Sequence, residues 1–209
     1  MSEPKQSSIV AEINNSNLKV MNWHGYGVLV GGGHDTHVFD EIQRRRRKIE
    51  QNMILIVGSP GQGKSYFGLR LAQIFDPDFD PTLQVVFEQA HLLYLIGATS
   101  PLHRGQVILI DESQFIASAR NWAADIQKSI MQNLESIRSR NFIVIIVVLH
   151  INILDLIIRK YVLSMMMSML KRGTAQTYLL WTPTFEDKMY KKKVGKLTLR
   201  LPDYEKCKF

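Results

Sequence analysis

The chain has a single cysteine, Cys207, in 209 residues. No internal disulfide can form, a cysteine-built zinc site is excluded, and the composition fits a reducing compartment. Long apolar runs are also missing. The most apolar window, Phe142 to Ile158, contains His150, Asn152 and Asp155 and is short for a bilayer, so no membrane span is expected. The opening residues MSEPKQSSIVAEINNSN have no charged stretch followed by an apolar core, so no secretory signal is read there. Acidic residues are the minority: 19 Asp and Glu face 26 Lys and Arg, giving a net charge of +7 and a pI near 9.5. That balance favours a polyanionic partner, nucleic acid ahead of a membrane surface, against the alternative of dispersed charge that merely keeps the protein soluble. With 45% hydrophobic and 22% charged residues the chain reads as globular beyond its first residues. Its length suits one α/β domain with extensions.

What is present centres on residues 53–71, MILIVGSPGQGKSYFGLRL. A short apolar strand runs into a glycine-rich turn and then a helical pattern, matching G-x-x-x-x-G-K-[ST], the P-loop. Backbone N–H groups can wrap a phosphate chain only where glycine lets the backbone turn tightly and approach closely, the work expected of Gly58, Gly61 and Gly63. The nucleotide-binding set expected here is Gly58, Ser59, Pro60, Gly61, Gln62, Gly63, Lys64, Ser65 and Tyr66. Lys64 would reach the β- and γ-phosphates, Ser65 would ligate Mg2+, and the N-terminus of the following helix would add its dipole. The expected cofactors are ATP and Mg2+.

The second chemical element is QVILI followed by Asp111 and Glu112, an apolar strand with acids at its C-terminal edge. Some fifty residues after the P-loop, this is the Walker B pattern. Asp111 would hold Mg2+ through its water shell, and Glu112 would act as general base on the attacking water.

Along the chain, Leu18–Val30 reads as a hairpin or a pair of short strands around glycine, GGGHDTH as a loop, and Val38–Gln51 as a helix carrying the basic run Arg44–Lys48. That run is either a solvated helix face or a contact for phosphates. His24, His34 and His37 lack the spacing of a known ligand set. Met53–Val57 is the first parallel strand, Ser65–Phe75 its helix, Gln84–Phe87 a second strand and Glu88–Ile96 a helix. Ser113–Asn121 reads as a loop past the nucleotide. Trp122–Arg140 reads as one amphipathic helix built on Ile126, Ile130, Leu134 and Ile137. Phe142–Leu149 is a buried strand ending at His150, which either senses the γ-phosphate or caps the strand. Asp155–Met169 reads as a helix whose methionines fill packing gaps, and Tyr178–Trp181 as a fifth strand. Lys188–Phe209 reads as a basic hairpin turning near Val194-Gly195; its lysines are either a DNA-facing edge or a guard against edge-to-edge pairing.

Taken in order, these strands and motifs resemble the FtsK–HerA superfamily of P-loop ATPases over roughly residues 50–182. LIDESQFIASARNW, then ESIRSRNFIVIIVVLHI and DLIIR, look like the zonula occludens toxin-like branch and the small genome-packaging ATPases of viruses. The resemblance implies an α/β fold: a RecA-like P-loop NTPase core at 51–182, with a mostly parallel five-stranded sheet flanked by helices. An N-terminal extension at 1–50 and a basic C-terminal β tail at 183–209 would be appended to it. It also implies ATP hydrolysis, assembly into a ring, translocation of double-stranded DNA, a capsid or portal partner, and a place in host cytoplasm or on the virion. Lys64 with Ser65 and Asp111 with Glu112 match the two Walker pairs. His150 sits where the superfamily usually has glutamine. Arg138 and Arg140 fall where it places a catalytic arginine finger, with Arg159 and Arg120 as further candidates. Branch members that export filamentous phage usually carry a membrane span beyond the ATPase domain, and none is read in this sequence. The competing expectation is a nucleotide-controlled assembly, replication or partition switch of a virus or plasmid. A small-molecule kinase is disfavoured because no arginine-rich lid is visible.

Overall fold

A computed structural model of the chain describes residues 18–23, 26–31, 36–111, 119–181 and 188–199. Strands β1 (Leu18–Trp23) and β2 (Tyr26–Gly31) form the expected hairpin, and helix α1 follows over Thr36–Arg47. Then come β3 (Asn52–Val57), α2 (Lys64–Phe75), the single turn α3 (Pro81–Gln84), β4 (Val85–Val86), α4 (Gln89–Ile96) and β5 (Val107–Asp111). Helices α5 (Ala119–Gln132) and α6 (Leu134–Ser139) precede β6 (Ile143–Val148). A 3-10 turn (Ile151–Ile153) and a π-helical stretch (Ile158–Val162) lead to β7 (Met165–Lys171), β8 (Thr174–Trp181) and β9 (Tyr190–Thr198).

The nine strands among the described residues lie in one sheet, ordered β1-β2-β9-β8-β7-β3-β6-β5-β4. The five strands from β7 to β4 are mutually parallel, and the other four pair antiparallel. The expected five-stranded sheet is therefore corrected: Tyr178–Trp181, expected as its fifth strand, lies in antiparallel β8, β7 supplies the fifth parallel strand, and the two extensions add β1, β2 and β9. β3, β5 and β6 are buried on both faces, which is why NMILIV, VILID and IVIIVV read as unbroken apolar runs. One face of the sheet is covered by α1 and α2, whose Phe39 and Phe75 rings meet at 5.6 Å. The other is covered by α4, α5, α6 and the 158–162 stretch through Leu92, Ile126, Ile130, Ile137 and Ile158.

Helix α2 leaves little room for a side chain at position 68. A Cβ there would lie 3.0 Å from Val147 Cγ2 and 3.2 Å from Leu109 Cδ1, so the helix rests directly on β5 and β6. It ends at Asp76, whose buried carboxylate accepts from Gln84 Nε2 at 2.7 Å and from the backbone N–H of Val107 at 3.2 Å. The Asp-Pro segment thus ties the end of α2 to the start of β5.

Several expectations are corrected. Asp155–Met169 is not one helix: Met165 to Ser168 pair parallel with Ile54 to Val57, and Met165, Met167 and Met169 are buried with period two. The methionines do fill the core, from a strand. The tail is not a hairpin: β9 runs straight through Val194 and Gly195, and Thr177 pairs Gly195 while Tyr178 pairs Lys193, leaving Val194 as a β-bulge. The stretch expected as one helix to Arg140 starts at Ala119 and is broken at Asn133, whose side chain and N–H both turn back to the Ser129 carbonyl. Among the described residues, no helix is long and apolar enough to cross a membrane.

Candidate functional site

The P-loop joins β3 to α2. Gly61 and Gly63 have φ of 77° and 76°, left-handed values that a side chain would strain, and Gly63 is the residue from which α2 springs. Gly58 is required by contact, because a Cβ there would meet Gln62 Oε1 and would lie 2.8 Å from Met169 Cβ. The loop is closed by its own side chains. Lys64, only 8% exposed, donates from Nζ to the Ser59 carbonyl at 2.9 Å, and Gln62 Oε1 accepts from the Ser59 N–H at 2.7 Å. Ser65 and Tyr66 stand half-buried in the first turn of α2.

Sheet register places the acidic residue. Ile56 lies level with Val147 and Val147 level with Asp111, so β6 separates the strand carrying the P-loop from the strand carrying Asp111. Two strand spacings put these backbones roughly 10 Å apart, room for a phosphate and a cation between them. Asp111 is 6% exposed at the last position of β5. Glu112 lies outside the described residues, as do His24 and His34; His37 falls in α1. Among the described residues no three His, Cys, Asp or Glu side chains gather as a metal cage.

β6 delivers the residue expected to sense phosphate. The N–H of Gly58 donates to the Leu149 carbonyl at 3.4 Å, so His150 directly follows a residue bonded to the P-loop. His150 is exposed, and its Nδ1 accepts from the Asn152 N–H at 3.2 Å, capping the 3-10 turn. With Nδ1 accepting, the neutral ring carries its proton on Nε2, a donor that this cap leaves unused. Both readings of this histidine are thus compatible in one side chain. Asn152 Oδ1 in turn accepts from Arg159 Nη1 at 3.0 Å, which brings Arg159 to the P-loop end of the sheet.

Arg138 and Arg140 stand at the opposite end, before the start of β6. Arg140 donates to the carbonyls of Gly97 (3.0 Å) and Leu102, and its guanidinium lies 4.7 Å from the Phe142 ring centre. It pins the 97–102 segment. Arg138 is exposed and pairs with Glu135 at 2.8 Å, a surface contact of little energetic weight. The backbone of Arg120 belongs to the first turn of α5. The basic run of α1 is partly neutralised: Arg44 and Arg45 both donate to Glu41, and Arg44 also grips Glu50. Hydrogen bonding from Arg44, then from Arg45, holds the Glu41 carboxyl below the ordinary carboxylate range against the opposing effect of burial. Arg47 and Lys48 remain exposed.

The sequence reading missed three contributors. Met169 packs against Gly58 from β7. Asn152 links His150 to Arg159. Gln127, buried on the apolar side of α5, accepts from the Asp155 N–H and donates to the Ile153 carbonyl at 3.5 Å, fixing the turn after β6. Only Gln127 left a signal in the sequence, a polar residue next to the apolar stripe of its helix.

Comparison with known proteins gives a family. No curated protein matches the chain. The crystal structure of the N-terminal domain of zonular occludens toxin from Neisseria meningitidis is similar at 14% identity with a TM-score of 0.41, over 72% of this chain and 95% of that one. The family model for zonular occludens toxin (Zot) matches residues 67–205, well over half of the chain. The chain belongs to the zonular occludens toxin (Zot) family, which is related to the P-loop NTPases.

Proposed function

We propose that the chain is an ATP-hydrolysing motor that translocates DNA, with viral genome packaging as the specific role. The observation that carries this reading is the pairing of two left-handed P-loop glycines and a buried Lys64 with Asp111 one strand beyond β6. An intervening strand between the P-loop strand and the acid-bearing strand supports the RecA-like core implied by the sequence. Lys64 exchanges the Ser59 carbonyl for the β- and γ-phosphates, and the N–H groups beyond Gly61 and Gly63 cradle them. Ser65 and Asp111 supply the hard oxygen donors that Mg2+ favours and are the residues that would hold it. When bound, the ion neutralises charge on the phosphate oxygens. Glu112, next along the chain, takes the proton of the attacking water, and His150 offers Nε2–H towards the phosphate from the residue after Leu149.

Arg138, the freer of the two arginines, stands at the far end of the sheet from its own P-loop. That position suits a finger given to a neighbouring subunit in a ring, with hydrolysis then dependent on assembly. Double-stranded DNA is the proposed track, contacted through free basic residues, and a capsid or portal the docking partner. A second reading is a nucleotide-controlled assembly, replication or partition switch with slow turnover. The full engagement of Arg140 by two carbonyls and Phe142 favours it, because a locked guanidinium cannot act in trans.

Steady-state ATP hydrolysis separates the two, measured with and without double-stranded DNA at low salt and at a concentration that allows assembly. The motor reading expects strong stimulation by DNA that disappears in Glu112→Gln. Hydrolysis indifferent to DNA would remove the motor and leave the switch.

A further inference from the structure

Strand β7 runs parallel to β3, so its C-terminal end comes out beside the P-loop. Met169 is the last core residue there, 5% exposed and close enough to Gly58 to exclude a side chain from it. The next residue breaks the ladder. Met169 pairs with Ala175 and Lys171 with Thr174, which leaves Leu170 as the extra residue of a β-bulge. Leu170 is 49% exposed, Lys171 and Arg172 are exposed, and Gly173, with a φ of 77°, closes the turn. Neither cation has an ion pair or a side-chain hydrogen bond among the described residues. Residues 165–181 contain no acid, so nothing on β7 or β8 repels a polyphosphate.

The two cations alone would be a solvated turn. The bulge is not accounted for that way: it sets a leucine, not a polar residue, at the mouth of an anion-binding loop, and bulges beside a site re-aim a side chain. The direction of a bound nucleotide follows from the residues on the other side. Asp111 and His150 both lie on the β6 side of Gly58, so the metal and the γ-phosphate belong there. A triphosphate held past Gly58 then carries its ribose and base away from β6, over β7. The chain beyond Met169 at that place is Leu170 to Gly173. We propose that the β7–β8 turn seats the base of the nucleotide. Leu170 packs on the flat ring, and the planar guanidinium of Arg172 stacks against it, a geometry that lysine cannot supply. This inference rests on the nucleotide reading and adds to it the residues that tell a nucleotide from a bare polyphosphate.

The full chain is titrated calorimetrically with Mg·ATP and with Mg·tripolyphosphate, which keeps the phosphates and lacks ribose and base. Thermal unfolding confirms that each variant is folded, as expected for changes at exposed residues. The natural chain should bind ATP more tightly than tripolyphosphate. Leu170→Ala should weaken ATP binding by roughly 4- to 60-fold, from about fourfold for each of one to three covered carbons, and leave tripolyphosphate binding unchanged. Arg172→Lys keeps the charge and loses the plane; it should weaken ATP binding by roughly 2- to 30-fold, again with tripolyphosphate unchanged. Photolabelling with ATP carrying an azide on its base, mapped by peptide, should place the adduct within residues 165–175. Equal losses for ATP and tripolyphosphate in Leu170→Ala would overturn the proposal and leave the phosphate site standing. So would ATP binding unchanged in both variants, an adduct confined to other residues, or tripolyphosphate bound as tightly as ATP by the natural chain. Binding of neither ligand to the folded natural chain would instead remove the nucleotide reading, and this inference with it.

Discussion

Substituting Gly58 by alanine perturbs the contact that seats the P-loop against β7. The added Cβ would lie 2.8 Å from Met169 Cβ and 3.2 Å from Met169 Cγ, and closer still to Gln62 Oε1. Carbon pairs prefer about 3.5–4.0 Å, so the shortfall at Met169 Cβ is roughly 1 Å. Gln62 can swing away, giving up its 2.7 Å bond to the Ser59 N–H, at about 1 kcal/mol. Met169 Cβ cannot, because the preceding residue Ser168 is in register with Val57 in the parallel ladder. Overpacking of this kind costs about 1–3 kcal/mol, so Gly58→Ala should lose about 2–4 kcal/mol in urea unfolding. Met169→Ala keeps the offending Cβ and should not rescue it, whereas Met169→Gly removes it. A double-mutant cycle with Met169→Gly should therefore show a favourable coupling of about 1–2 kcal/mol. An unchanged urea midpoint for Gly58→Ala, or equal rescue by both substitutions of Met169, would refute the described approach of loop and strand.

Other perturbations test separate parts of the structure. Asp76→Ala leaves the buried Gln84 amide and the Val107 N–H without their shared acceptor. It should cost about 3 kcal/mol of unfolding free energy, the scale for buried donors left unpaired. Glu41 is the informative group for pH. Its folded carboxyl is held below the ordinary range by Arg44 first and Arg45 next. Its stabilising contribution is therefore present above an unfolded value of about 4.3 and is lost as pH falls through the folded value. Glu41→Gln should be less stable at neutral pH, and its deficit should shrink in acid unfolding titrations; a deficit constant down to low pH would contradict the pairing. At His150, Gln can still accept from Asn152 and donate to a phosphate, but Ala can do neither. His150→Ala should lower ATP turnover roughly tenfold or more, with His150→Gln close to the natural chain. Equal losses would show that the turn, not the donor, is at stake.

What could be read in advance was chemistry written locally. The glycine turn after β3 and the acid closing β5 were legible because each is written in adjacent residues, and β3, β5 and β6 are apolar throughout because helices cover both their faces. Helix α2 begins one residue before its expected start, within the ordinary fraying of boundaries. The misreadings arose where tertiary pairing overrode local preference. MMMSMLK has no β-branched residue, and Met and Leu favour helix, yet hydrogen bonding alongside β3 makes it a strand. Gly195 looked like a hairpin turn because glycine weakens a strand, and its actual use is beside the bulge at Val194 opposite Thr177 and Tyr178. The contact of Met169 with Gly58 and the bond from Gln127 to Asp155 join residues far apart in the chain, so no local pattern could announce them.

The central claim is that this chain binds a nucleotide triphosphate through Lys64 and the loop around it. Isothermal titration of Mg·ATP into the natural chain and into Lys64→Ala tests it most directly, with thermal unfolding confirming that both are folded. A charge-assisted contact to phosphate is worth about 1.5–3 kcal/mol, so the substitution should weaken binding by roughly tenfold to a hundredfold. Equal affinity in the two proteins, or no heat of binding in the natural one, would contradict the account.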